Sequence, residues 1–141
     1  GPARLEDFVW WSGLNMRECR KGVKLLGDEV VTERYGKRDY SFLRDARTRG
    51  FRGGQVLLLP AFDEYLIGYK SRHVVLHPDH APKAHNQSGI FYHVVALDGE
   101  IVGNWRPAER DFGISVFKEG VCIPEEALQK EMSRLDLARR R

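Results

Sequence analysis

The spacing of apolar positions changes along the chain, and each change marks a different kind of element. In residues 3–11, Leu5, Phe8 and Trp11 recur three apart, which predicts a helix burying that face. Glu6 and Asp7 fall in its first turn, where unpaired backbone N–H groups favour acids. Ser12-Gly13 ends it, since glycine readily takes the left-handed conformation that closes a helix. Asn15 then offers an N-cap oxygen, and Glu18 completes a capping-box pattern. The next helix, about 16–26, places Met16, Cys19, Val23 and Leu26 on one face and Arg17, Arg20, Lys21 and Lys24 on the other, with Gly27 closing it. From Glu29 the spacing drops to two. Glu29 to Tyr35 is alternating and β-branched, Gly36-Lys37-Arg38 reads as a turn, and Asp39 to Leu43 returns, a short β-hairpin. Two short helices and a hairpin with a basic tip are the layout of a winged helix-turn-helix.

Residues 44–55 are basic and glycine-rich, a linker or binding loop. Beyond it the texture is β-rich. Val56 to Leu59 is a buried-strand candidate, Phe62 to Tyr69 fits either a short helix or a strand, and Val74 to Leu76 is a brief apolar run. Ile90 to Leu97 and Glu100 to Arg106 flank Asp98-Gly99, a strong hairpin signal because both turn residues tolerate positive φ. Asp111 to Lys118 gives one more strand. Pro124-Glu125-Glu126 opens a last helix, with Leu128, Met132, Leu135 and Ala138 as its buried face and Arg139-Arg140-Arg141 at its end. The expected fold class is α+β: a winged helix-turn-helix unit over 1–50, then a small antiparallel β-barrel with a C-terminal helix over 51–141.

The charge distribution gives this layout a function. The 141 residues are 42% hydrophobic and 30% charged, within the range of soluble globular chains, with a net charge of +3. That small excess hides an asymmetry: residues 17–52 hold eleven basic and six acidic residues, whereas the flanking segments are each net negative by one. A basic first third points to a polyanion touching one face. The candidate DNA contacts are Arg17, Arg20, Lys21 and Lys24 on the second helix, Lys37 and Arg38 at the hairpin tip, and Arg44, Arg47, Arg49 and Arg52 in the loop that follows. The competing reading is a protein-interaction or structural module whose basic helix meets acidic protein surface.

Other chemistry is weaker. Cys19 and Cys122 lack the paired spacing of a thiolate zinc site, and each reads as a small buried hydrophobe of a reducing compartment. His73, His77, His80, His85 and His93 include four within a proline-containing stretch, but no HExxH helix fixes ligand directions, so no metal is expected. Adjacent Asp63 and Glu64 would point to opposite faces of a strand and suit capping or arginine pairing better than acid–base work. No P-loop pattern exists, so neither a nucleotide nor any other cofactor is expected. Tyr92 and Trp105 could offer a base-stacking platform but fit core packing better. The longest apolar run, Val56 to Phe62, is far shorter than the ~20 residues of a membrane span. With Arg4, Glu6 and Asp7 preceding any apolar stretch, no signal peptide is expected, and a cytoplasmic location with no membrane partner follows. The chain does not open on Met, which marks it as a candidate fragment.

Three ordered stretches, GPARLEDFVWWSGL (1–14), LLLPAFDEYLIGYKSR (57–72) and GIFYHVVALDGEIVGNWRP (89–107), together resemble the C-terminal part of a bacterial winged-helix DNA-binding family. That family includes DNA glycosylases that excise bulky alkylated bases and unhook interstrand crosslinks. The resemblance implies a larger parent with tandem winged helices around duplex DNA, its N-terminal region being a further partner of this piece. It also implies a catalytic Gln-x-Gln or Gln-x-Asp motif in that N-terminal region. Gln55-Val56-Leu57, Gln87-Ser88-Gly89 and Gln129-Lys130-Glu131 do not match it, so no catalytic residue carries over. The expected function is therefore a duplex-DNA-binding module of a protein repairing alkylated DNA.

Overall fold

A computed structural model describes residues 2–46, 52–106 and 113–139, with backbone alone for 136–139. The chain divides into two units, Gly1–Gly50 with Ile67–Ser71, and Phe51–Leu66 with Arg72–Arg141.

In the first unit, α1 (Leu5–Ser12) and α2 (Met16–Leu25) are joined by the turn the sequence predicts. Gly13 caps α1 at φ 71°, its N–H donating to the Val9 carbonyl. The Asn15–Glu18 capping box is complete: the Glu18 N–H donates to Asn15 Oδ1 and the Asn15 N–H to Glu18 Oε2, both at 3.0 Å. The apolar face of α1 differs from expectation, because Trp11 is 65% exposed. Phe8 and Ser12, one turn apart, both meet α2: Phe8 lies beside Gly22, and Ser12 Oγ is 3.6 Å from Cys19 Sγ. Trp11 falls off that line of contact. Strands β1 (Val30–Tyr35) and β2 (Arg38–Leu43) form the hairpin, extended by an Ala3–Ser41 bridge. Its turn is only Gly36-Lys37, since Arg38 already pairs with Tyr35.

The second unit is built on a four-stranded antiparallel sheet in the order β3 (Val56–Leu59), β4 (Val94–Leu97), β5 (Glu100–Arg106), β6 (Gly113–Val116). The sheet is open. This corrects the barrel expectation, and burial on both faces explains why closure is not needed. Leu59, Val94, Ala96 and Ile101 pack with Leu66, Leu76, Ala84 and Phe117. Val56, Leu58, Val95 and Trp105 pack with Leu128, Met132 and Leu135 of α5 (Glu125–Arg139). Strands covered on both faces read as continuous apolar runs, as VVAL of β4 does. Asp98 (φ 54°) and Gly99 (φ 89°) form the turn between β4 and β5, and the Asp98 carboxylate accepts from the Gly54 and Gln55 N–H groups.

One irregularity sets which core each β5 residue joins. Ala96 pairs with Ile101 but Val95 with Gly103, so Val102 is the extra residue of a bulge. Strict alternation would put Ile101 and Trp105 on the same face; the bulge transfers Trp105 to the α5 side. Gly103 is required just after it, since a Cβ there would meet the Ser115 carbonyl oxygen at 2.5 Å.

Other expectations are corrected in detail. Residues 62–69 yield a four-residue helix, α3 (Glu64–Ile67), capped by Asp63, whose Oδ1 accepts the Tyr65 N–H. β4 begins only at Val94, because after the short helix α4 (Ala81–Ala84) the chain turns back in a His85–Phe91 bridge. Trp105 is buried but Tyr92 is exposed, and Cys19 is buried but Cys122 exposed. The side chain of Ala138, and Arg140 and Arg141 altogether, lie outside what is described. No described helix is long and apolar enough to cross a membrane.

Candidate nucleic-acid interface

α2 segregates its side chains by spacing alone. Arg17, Arg20, Lys21 and Lys24 are all exposed along one stripe, opposite the buried Cys19. Lys24 lies in the last turn, where the carbonyl ends favour a cation. The hairpin adds to this stripe. A cleft of about 1290 Å³ runs between the helices and the hairpin within the first unit, and Arg20, Lys24, Lys37 and Arg38 all line it. Arg4 lines it too, a cation the sequence reading missed. The acids on its wall are Glu6, Glu33 and Asp39, and Asp39 is neutralised by Arg34 across the strands at 2.7 and 2.9 Å. That partner holds the Asp39 carboxyl below the usual carboxylate range.

The remaining predicted contacts divide differently. Arg17 and Lys21 are exposed but do not line the cleft. Arg44 is a brace: its Nε–H donates to the Asp28 carbonyl at 2.7 Å and its N–H to that of Glu29, closing the open end of the hairpin. Arg52 is exposed in the second unit. Arg47 and Arg49 lie outside the described residues.

The cleft's floor is apolar, with Leu5, Phe8, Val23, Val30 and Phe42 among its lining. Only Cys19 and Asp7 are buried among the described residues of this unit. Asp7 is its polar anchor, accepting from the Arg4 N–H at 3.0 Å and the Lys70 N–H at 3.1 Å. Burial alone would raise its pKa, but the hydrogen bonds and charge of Arg4 outweigh this and hold it below 3.8. A carboxyl with a lowered folded pKa stabilises fully above its unfolded value and loses that contribution as pH falls through the folded value. The first unit is therefore expected to lose stability as pH drops below about 3.8, and Asp7→Asn to remove that acid dependence in pH-resolved thermal melts. Asp7→Ala, which leaves two N–H groups without their acceptor, is expected to cost about 1–3 kcal/mol at neutral pH.

In the second unit the histidine loop makes no metal-type cluster: among the described residues no three His, Cys, Asp or Glu side chains converge. His77 instead accepts the Asp79 N–H through Nδ1 and its ring lies 5.6 Å from His80, which packs on Phe117. A second cluster, unmarked by any spacing rule, joins Phe62, Phe91, His85 and Arg72. Phe62 and Phe91 lie 6.2 Å apart, His85 is 5.1 Å from Phe91, and the Arg72 guanidinium sits 4.9 Å from the Phe91 centroid.

Residues 1–119 match the family described as AlkZ-like DNA glycosylases. The chain is 30% identical over 140 residues to the interstrand DNA cross-link repair glycosylase of Streptomyces sahachiroi, covering 93% of this chain and 37% of that protein. The solved structure of the Streptomyces sahachiroi DNA glycosylase AlkZ superposes with a TM-score of 0.78 at 28% identity, over 96% of this chain and 38% of that one. The chain thus spans little more than a third of the relatives it matches.

Proposed function

The chain belongs to the AlkZ-like DNA glycosylase family, and from that premise we propose that it is a duplex-DNA-binding module of a DNA-repair protein. The first unit acts as a winged helix-turn-helix. α2 lays its cationic stripe along the phosphates and into the major groove, and Lys37 and Arg38 hold the adjacent backbone. One observation carries the reading: cations far apart in sequence, on α2 and on the hairpin tip, converge on the rim of one cleft. Affinity and recognition of DNA shape belong to this piece, and base excision belongs to residues outside it.

Fluorescence anisotropy of a labelled duplex of ~20 base pairs at several salt concentrations tests the reading. With Arg17, Arg20, Lys21, Lys24, Lys37 and Arg38 neutralising about six phosphates, log affinity is expected to fall against log salt with a slope near −5. Absence of binding at ~50 mM salt rules it out.

The open apolar floor of the cleft favours a second reading for the same unit. A unit with so few buried side chains leaves its apolar face to be covered by protein. Under this reading the floor packs against another part of the parent, its N-terminal region, and the chain ignores free DNA.

A further inference from the structure

We propose that Phe62, Phe91 and Arg72 form a stacking site for an unpaired base of a DNA strand. This inference rests on the DNA-binding reading and adds a second point of contact to it, in the second unit.

Two unfavourable features coincide at Phe62. Its φ of 58° lies in the left-handed region, where a bulky side chain is strained, and the residue is 53% exposed. The backbone on either side holds it there. Leu59 is paired to Val94, Pro60 follows, and Asp63 caps α3. The fold thus retains a strained residue whose effect is to present an aromatic ring to solvent.

The surroundings of that ring identify what it would meet. Phe91 lies beside it, backed by His85 and by the Arg72 guanidinium. The Arg72 Nε–H donates to the Leu66 carbonyl, and no described carboxylate lies within ion-pair distance of it. Its partial burial lowers its pKa from the ordinary guanidinium value, the mark of a cation held away from water. The loop carrying Phe91 is fixed: Asn86 Oδ1 accepts the Ile90 N–H, the Asn86 N–H donates to the Ile90 carbonyl, and His85 bridges to Phe91. Little ordering is left to occur on binding.

The exposed Phe62, beside the partly buried Phe91 and a cation with no described carboxylate within ion-pair distance, matches a nucleobase and its phosphodiester. An apolar protein segment would leave Arg72 unanswered. A base inside intact duplex has both faces covered by its neighbours, so the ligand is a base out of the stack.

The test uses the whole chain and two duplexes, one with a single bulged 2-aminopurine and one fully paired. 2-Aminopurine is bright when unstacked and quenched when it stacks. The chain is expected to bind the bulged duplex about tenfold more tightly and to quench it. Phe62→Gly, suited to a φ of 58°, is expected to keep the thermal midpoint, abolish the preference and the quenching, and bind the paired duplex as before. Phe62→Asn, which also tolerates positive φ, should behave alike and serves if the glycine variant folds poorly. Equal binding of both duplexes without quenching, or variants that retain preference and quenching, overturns the stacking site alone. Binding of neither duplex overturns the DNA-binding reading and this site with it.

Discussion

Replacing Trp105 by Ala is expected to lower the stability of the second unit by about 3–5 kcal/mol, a large part of the marginal stability of a small domain. Trp105 is 4% exposed on β5 and joins Val56, Leu58 and Val95 in the core covered by α5. Its indole Nε1–H donates to the Leu59 carbonyl at 2.8 Å, and the His93 ring meets it edge-on at 4.9 Å. Alanine removes the ring's dispersion contacts, opens a cavity between sheet and helix, and leaves a β3 carbonyl without that donor. Trp105→Phe keeps most of the volume and loses mainly the hydrogen bond, so it should cost less, with about 1 kcal/mol of its loss from that bond. Chemical denaturation read by circular dichroism checks both. Near-equal stabilities for Ala and Phe would show that filling the core matters little there.

Reversing two charges on α2, Arg20→Glu with Lys24→Glu, is expected to produce the largest change in DNA affinity. Each phosphate neutralised contributes a slope of about −0.9 in log affinity against log salt. Losing two contacts therefore lowers affinity roughly sixtyfold at ~0.1 M salt and makes the slope shallower by about 2, and two carboxylates facing phosphates lower affinity further. Both side chains are exposed, and neither caps the helix, whose N-terminus is held by Asn15 and Glu18. The helical signal should accordingly persist. Unchanged affinity and slope in a folded variant would move the DNA contact away from α2 and favour the protein-facing reading of the cleft.

These two tests differ in how visible their residues are from the sequence. The stripe on α2 could be read directly, because a helix converts spacing of three and four into a common face wherever it packs. The capping box, the Gly13 stop, the Asp98-Gly99 turn and the Leu128, Met132, Leu135 face of α5 are local in the same sense: each depends on dihedral preferences and hydrogen bonds within a few residues. Trp11 shows the limit. Its spacing from Leu5 and Phe8 was that of a buried face, but which face of α1 is covered depends on where α2 crosses it, and Phe8 and Ser12 hold that line.

The second unit is where local rules ran out. A barrel and an open sheet share the same alternating strands, and they differ only in whether the first and last strands meet. Here β3 and β6 remain the ends of the order, because α5 and the segment around Leu66, Leu76 and Ala84 cover the two faces. The bulge at Val102 likewise carries no spacing signal, yet it decides which core receives Trp105. Phe62, Phe91, His85 and Arg72 come from three separated segments, so no motif could gather them. The sequence by itself determined the elements, their caps and turns, and the cationic stripe, since these arise from neighbours along the chain. Tertiary structure alone decided the sheet's open edges, the side to which each β5 residue turns, and the cleft that brings α2 and the hairpin tip together. Those depend on which surfaces meet, and that is settled only when distant apolar faces find cover.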